Sequence, residues 1–121
     1  MIRVFIGFDS AEEVAFGVLS HSIHARSSQP VSIAPVKLGQ LRAVFDRPAN
    51  ALQSTEFSFS RFLTPYLAGY EGWAVFMDCD MVMLEDIARL WELRDERFAV
   101  QVVKHVHVPK EDVKFLGHAQ T

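Results

Sequence analysis

Asp78 and Asp80 flank Cys79 at the exit of the apolar run Trp73-Ala74-Val75-Phe76-Met77. In an extended segment, residues i and i+2 point to the same side, so both carboxylates can face one divalent cation at the end of a buried strand. Hard cations such as Mg²⁺ are held by one or two carboxylates together with the phosphates of a substrate. The pair therefore points to phosphate chemistry and a nucleotide-linked substrate. Asp-x-Asp alone is a loose pattern. Its setting strengthens it, because the acids interrupt what would otherwise be core. An uncompensated carboxylate there is costly, which favours a cation partner or exposure at a strand end. The plain alternative is an acidic turn after a strand.

Two more residues join the pair. Asp9 ends the apolar run Ile2-Arg3-Val4-Phe5-Ile6-Gly7-Phe8, just before a helix start. Ligands of open α/β sheets bind at the carboxyl ends of the strands, where Asp9 would accept hydrogen bonds from a base or ribose. A helix-capping role for Asp9 or Ser10 is compatible with that. Arg61 sits among Phe57, Phe59, Phe62 and Leu63, and its guanidinium could clamp a diphosphate with paired donors. An ion pair with a neighbour such as Glu56 is the competing role.

Other candidates are weaker. Cys79 should point away from the acids on either side of it and is read as a packed thiol. His21 and His24 share a helix side and His105 and His107 a strand face, but no Cys or carboxylate lies at zinc-type spacing from them. Gly-x-Gly-x-x-Gly, Walker-type Gly-Lys-Ser/Thr and Gly-x-Ser-x-Gly motifs do not occur. Dinucleotide oxidoreductases, P-loop NTPases and serine hydrolases therefore drop out.

The elements that must position these residues follow from periodicity. Residues 2–8 read as a first strand. Ser10 and Glu13 match a capping box, and Ala11, Val14, Ala15, Val18, Leu19 and Ile23 predict a helix over 11–26 with one buried stripe. Val31 to Val36 is a second strand, with Pro35 marking an edge or an exit. This β-α-β unit implies a parallel sheet covered by helices. Residues 38–54 read as a long loop. A helix is expected from Glu56 to Tyr70, bent at Pro65, which leaves the Arg61 carbonyl without its usual partner. Strand 73–77, a short helix over 85–93 and a strand over 98–103 complete the series.

At 121 residues the chain is expected to form one domain, 1–121. Half its residues are hydrophobic and 22% charged, which argues against a disordered chain. A net charge of −3 without a Lys/Arg-rich run gives no reason to expect nucleic acid. No signal-peptide pattern and no run of about 18 apolar residues is visible. The single Cys79 cannot form an internal disulfide. A cytoplasmic location is the resulting expectation.

Three segments together resemble a known family. They are Val4-Phe5-Ile6-Gly7-Phe8-Asp9, Ser58-Phe59-Ser60-Arg61-Phe62-Leu63-Thr64-Pro65-Tyr66-Leu67 and Trp73-Ala74-Val75-Phe76-Met77-Asp78-Cys79-Asp80-Met81. In order and spacing they resemble the GT-A glycosyltransferases, and most closely the family that includes glycogenin and the bacterial lipopolysaccharide galactosyltransferases. The resemblance covers most of 2–104. It implies a Rossmann-like, mostly parallel sheet with helices on both faces, and a nucleotide-diphospho-sugar donor, UDP-linked by the same likeness. It also implies Mn²⁺ or Mg²⁺ held by Asp78 and Asp80, with Phe8, Asp9, Ser10, Arg61 and Cys79 lining the donor site.

Family members are longer, and their second half carries the acceptor site and commonly a further metal-ligating His. His105, His107 and His118 come too early to match it. The expectation is a donor-binding portion with weak or no turnover, with a homo-oligomer covering exposed edges as one possible assembly. Two readings compete. In a haloacid-dehalogenase-type phosphohydrolase, Asp78 would be the nucleophile and Asp80 the acid/base. The other is a non-catalytic nucleotide-sugar-binding fragment.

Overall fold

Ile2, Val4 and Ile6 alternate with Arg3 and Phe5, and the alternation decides the first strand. The computed structural model, which describes residues 1–106 and 108, buries all three aliphatic side chains. Strand β1 (Ile2–Gly7) pairs in parallel with β2 (Val31–Val36) on one side and with β3 (Val75–Met77) on the other. The strand order is β2-β1-β3. The register sets Ile2 beside Val31, Gly7 beside Val36 and Ile6 beside Met77. Pro35 lies in β2, an edge strand, where a missing N–H is tolerated. An α/β fold with a small parallel sheet is what these elements form.

Parallel neighbours need a crossover, and α1 (Glu13–Arg26) supplies it between β1 and β2. The expected capping box does not form. Asp9 is the cap instead, accepting from the Ala11 N–H at 2.8 Å, and a 3-10 turn over Ser10–Glu12 precedes the helix. Ser10 Oγ donates to Glu56 rather than serving the helix. The buried stripe also differs from expectation. Leu19, Ser22 and Ile23 are buried, with Ala15 and Phe16 packed beside them, while Val14 and Val18 are exposed. Val14 and Val18 form the ridge about 100° round from the Ala15–Leu19–Ile23 ridge that meets the sheet. Ile2, Val4 and Ile6 share a buried cluster with Leu19, Ile23, Met77, Cys79 and, from α3 (Ile87–Trp91), Ile87 and Ala88.

The segment 57–73 lies against the Arg3 and Gly7 side of β1. The single bent helix expected there is two pieces, a 3-10 turn over Ser60–Leu63 and the short α2 (Thr64–Leu67). Pro65 falls in the first turn of α2, where its missing N–H leaves nothing unsatisfied. The Arg61 carbonyl accepts from Thr64 through both the backbone N–H and Oγ1, the latter at 2.7 Å. After α2 the chain turns through Gly69, Tyr70 and Gly72, all at positive φ. Tyr70 at φ 56° is in a region that side chains disfavour. Arg3 holds the turn by donating to the carbonyls of Ala68 (3.0 Å), Glu71 and Trp73 (3.1 Å).

Two further expectations change. The long loop after β2 carries a 3-10 turn at Leu38–Gln40, and its Arg47 guanidinium stacks 3.8 Å from the centre of the Phe59 ring. The strand expected over 98–103 is not formed, and Phe98, Val100, Val102 and Val103 are exposed. β-branched residues favour a half-buried pleated surface, yet this run stays off the sheet although β2 and β3 each have only β1 as a neighbour. Among the described residues no helix is long and apolar enough to cross a membrane.

Candidate functional site

The chain passes from β1 to β2 on one side of the sheet and reaches β3 on the other, so the strand order reverses between β1 and β3. In open α/β sheets the crevice at such a point, outside the carboxyl ends of the strands, is where ligands bind. Because Ile6 pairs with Met77, the segments Phe8–Ser10 and Asp78–Asp80 leave the sheet side by side at that edge. Sequence reasoning placed its main candidates there, and the structure brings them together.

Asp9 is buried, and each of its carboxylate oxygens accepts one hydrogen bond. Oδ1 accepts from Ala11 N–H at 2.8 Å, and Oδ2 accepts from Glu56 N–H at 3.0 Å. One carboxylate thus caps the turn after β1 and pins the chain where it enters the Phe57–Arg61 segment. The helix-cap role is present, and each oxygen keeps further acceptor capacity. Phe8 lies beneath, edge-on to Phe16 with ring centres 5.8 Å apart. Lys37, immediately after β2, sets its ammonium 4.9 Å from the Phe8 ring centre. Sequence reasoning missed Lys37. Its place directly after the second strand was the available signal, since such residues emerge at the same sheet edge.

Asp78 and Asp80 do not continue β3 as extended backbone. The strand ends at Met77, and the chain bends at Cys79 and Asp80. Cys79 turns inward and is fully buried, while Asp78 is half-exposed and Asp80 exposed. The reading of Cys79 as a packed thiol pointing away from the acids is what the structure shows. Its Sγ donates to Glu12 Oε2 at 3.4 Å. Burial, then that hydrogen bond and the charges of Glu12 and Asp80, push the thiol up to about 12. The thiol form is therefore favoured at neutral pH, as for a packed side chain.

That shift has a consequence for stability. The unfolded chain ionises Cys79 near its ordinary value of 9.0, whereas the folded chain holds the proton to about 12. The contribution is complete below pH 9 and is lost as pH rises from there towards 12. Between those limits stability should fall by roughly 1.4 kcal/mol per pH unit more in the native protein than in Cys79→Ala. Urea unfolding of both proteins at pH 8, 9.5 and 10.5 checks this, and parallel pH profiles would contradict it.

Arg61 pairs with Asp78 rather than with Glu56. Its Nη1 lies 3.3 Å from Asp78 Oδ1, and its Nε donates to the Phe57 carbonyl at 3.3 Å. The guanidinium stands 5.1 Å from the Phe57 ring centre and 5.6 Å from that of Phe76. Phe57 is the support beneath this arrangement: it is 2% exposed and packs on Gly7 and on Phe76, whose ring centre is 6.2 Å away. Its residue type carried no chemical signal in the sequence, which is why only the structure reveals its part.

Asp78 and Asp80 are the residues at this edge that could hold a divalent cation. Two accessible carboxylates flank an inward-turned residue, and such cations take one or two carboxylates and complete their shell with phosphate oxygens and water. Among the described residues no group of three or more His, Cys, Asp or Glu gathers around one point. His21 and His24 are exposed on α1, and His107 and His118 lie outside the described residues.

Comparison with known proteins adds a relative. No family model and no solved structure matches the chain. The chain is 48% identical to Protein CDI of Arabidopsis thaliana over 121 residues, taking in 98% of this chain and 47% of that protein. It therefore spans about half the length of the curated relative it matches.

Proposed function

We propose that this chain is the donor-binding portion of a GT-A-type glycosyltransferase, binding a nucleotide-diphospho-sugar, UDP-linked, together with Mn²⁺ or Mg²⁺. The observation that carries the reading is the meeting of Asp9, Arg61 and the Asp78–Asp80 pair where strand order reverses between β1 and β3. Asp78 and Asp80 would hold the cation. When bound, the cation neutralises charge that develops on the nucleotide diphosphate as it leaves. Arg61 offers paired donors to phosphate oxygens. Asp9 fixes the backbone around the crevice and presents acceptor capacity to a base or ribose, and Phe8 supplies an apolar floor. The resemblance of the three segments to the glycogenin-type family supports the same reading.

Calorimetric titration with UDP tests it. Binding is expected with Mn²⁺ present and is expected to weaken at least tenfold in EDTA, as a shared metal requires. Equal binding in both conditions, or none in either, would contradict the reading.

A further inference from the structure

Arg61 faces a choice of anions. Its guanidinium is held at Nε by the Phe57 carbonyl and lies near the rings of Phe57 and Phe76, while Nη1 reaches Asp78 Oδ1 at 3.3 Å. Both members of this pair keep contact with water, Arg61 at 32% and Asp78 at 45% side-chain exposure. A pair so exposed is weak and can be broken at little cost. A divalent cation on Asp78 would sit about 2.0–2.2 Å from a carboxylate oxygen if it is Mg²⁺. The guanidinium and the cation would then be close neighbours of like charge, and one carboxylate cannot serve both equally.

We infer that Arg61 is an exchangeable counter-ion of Asp78. It neutralises the carboxylate while the cation is away, and it leaves when the cation arrives. Anchored at Phe57, it then turns its free Nη groups to the phosphates that come with the cation. The inference rests on the donor-site reading and adds a coupling to it. A cation arriving alone must displace Arg61 and leave the guanidinium without an anion. A cation arriving with a diphosphate gives Arg61 a replacement. Cation and diphosphate therefore favour each other by more than their direct contact, and the coupling is reciprocal.

The test compares the native chain with Arg61→Gln. Calorimetry with Mn²⁺ alone should show the variant binding roughly fivefold more tightly, since its Asp78 is no longer engaged. With Mn²⁺ saturating, the same variant should bind UDP roughly tenfold more weakly, having lost charge-assisted donors. Equal or weaker binding of Mn²⁺ alone by Arg61→Gln overturns the exchange and leaves the donor site standing, provided native UDP binding still requires Mn²⁺. Metal-independent UDP binding by the native chain overturns the donor site instead. A measurement without any variant guards against misfolding of Arg61→Gln. In the native chain, the Arg61 Nε–H resonance should move on titration with Mg²⁺, and a resonance that stays in place at saturating Mg²⁺ overturns the exchange.

Discussion

If the proposed donor site holds the cation, changing both Asp78 and Asp80 to Asn is expected to abolish the metal dependence of UDP binding while leaving the fold intact. Asn keeps the shape of each side chain and removes its charge, and a hard cation held by two carboxylates loses most of its attraction to the site. The expected loss in Mn²⁺-dependent UDP affinity is about 100-fold or more, equivalent to about 2.7 kcal/mol. Stability should barely change. Asp80 is exposed, Asp78 is half-exposed, and the Arg61 pair it gives up is of the weak, solvent-screened kind. Thermal unfolding of the double variant checks the second half of the statement, and a melting point within about 5 °C of the native value is expected. Native-like, metal-dependent binding by the double variant would remove Asp78 and Asp80 from the account.

Gly7→Ala is expected to destabilise the fold and weaken the site together. A Cβ at Gly7 would fall 2.4, 2.5 and 2.7 Å from three atoms of the Phe57 ring, far inside contact distance. The ring has nowhere cheap to go, because it is buried against Phe76 and supports Arg61. The residue before it is pinned through its backbone N–H to Asp9. Overpacking of this kind costs about 1–3 kcal/mol. UDP binding should weaken as well, because Arg61 hangs from the Phe57 carbonyl. Truncating the ring in the same background, as Gly7→Ala/Phe57→Leu, should recover part of the loss. Urea unfolding of the two singles and the double gives the coupling directly. Strict additivity would show that Phe57 is not what the new methyl meets.

The parts of this fold that were legible in the sequence depend on local pattern. Ile2, Val4 and Ile6 alternate, Val31 to Val36 follows a helix-length spacer, and Trp73 to Met77 runs apolar until two acids stop it. From these, a parallel β-α-β arrangement and the emergence of Asp9 and Asp78 at one sheet edge could be read. The illegible parts depend on contacts distant in sequence. Ser10 and Glu13 have the spacing of a capping box, yet Glu56, 46 residues away, takes the Ser10 hydroxyl. Val14 and Val18 fit a helical stripe as well as Leu19 and Ile23 do, and only the position of the sheet chooses between the ridges. Phe98 to Val103 has strand-forming residues, but strand propensity alone does not bring a segment onto a sheet edge.

The site shows the same division. The acids themselves were visible, whereas their engagement was not. Arg61 was expected on a continuous helix, with an ion pair to a neighbour such as Glu56 as the competing role. A 3-10 turn followed by a separate short helix changes the direction in which Arg61 leaves the backbone, and Asp78 becomes reachable. Phe57 and Lys37 carry no motif, and their parts follow from packing on Gly7 and from position at the end of β2.

The central claim is positional: a divalent cation binds where β1 and β3 end, between the Asp9 and Asp78–Asp80 segments. Paramagnetic line broadening by substoichiometric Mn²⁺, read from the amide spectrum in the presence of UDP, locates the ion directly. The account predicts that amides of Asp9 to Ala11 and Asp78 to Met81 broaden first, while those of Arg3 and Tyr70, at the opposite end of the sheet, stay sharp. Broadening centred on the His21–His24 face of α1, or spread evenly over the chain, would contradict it.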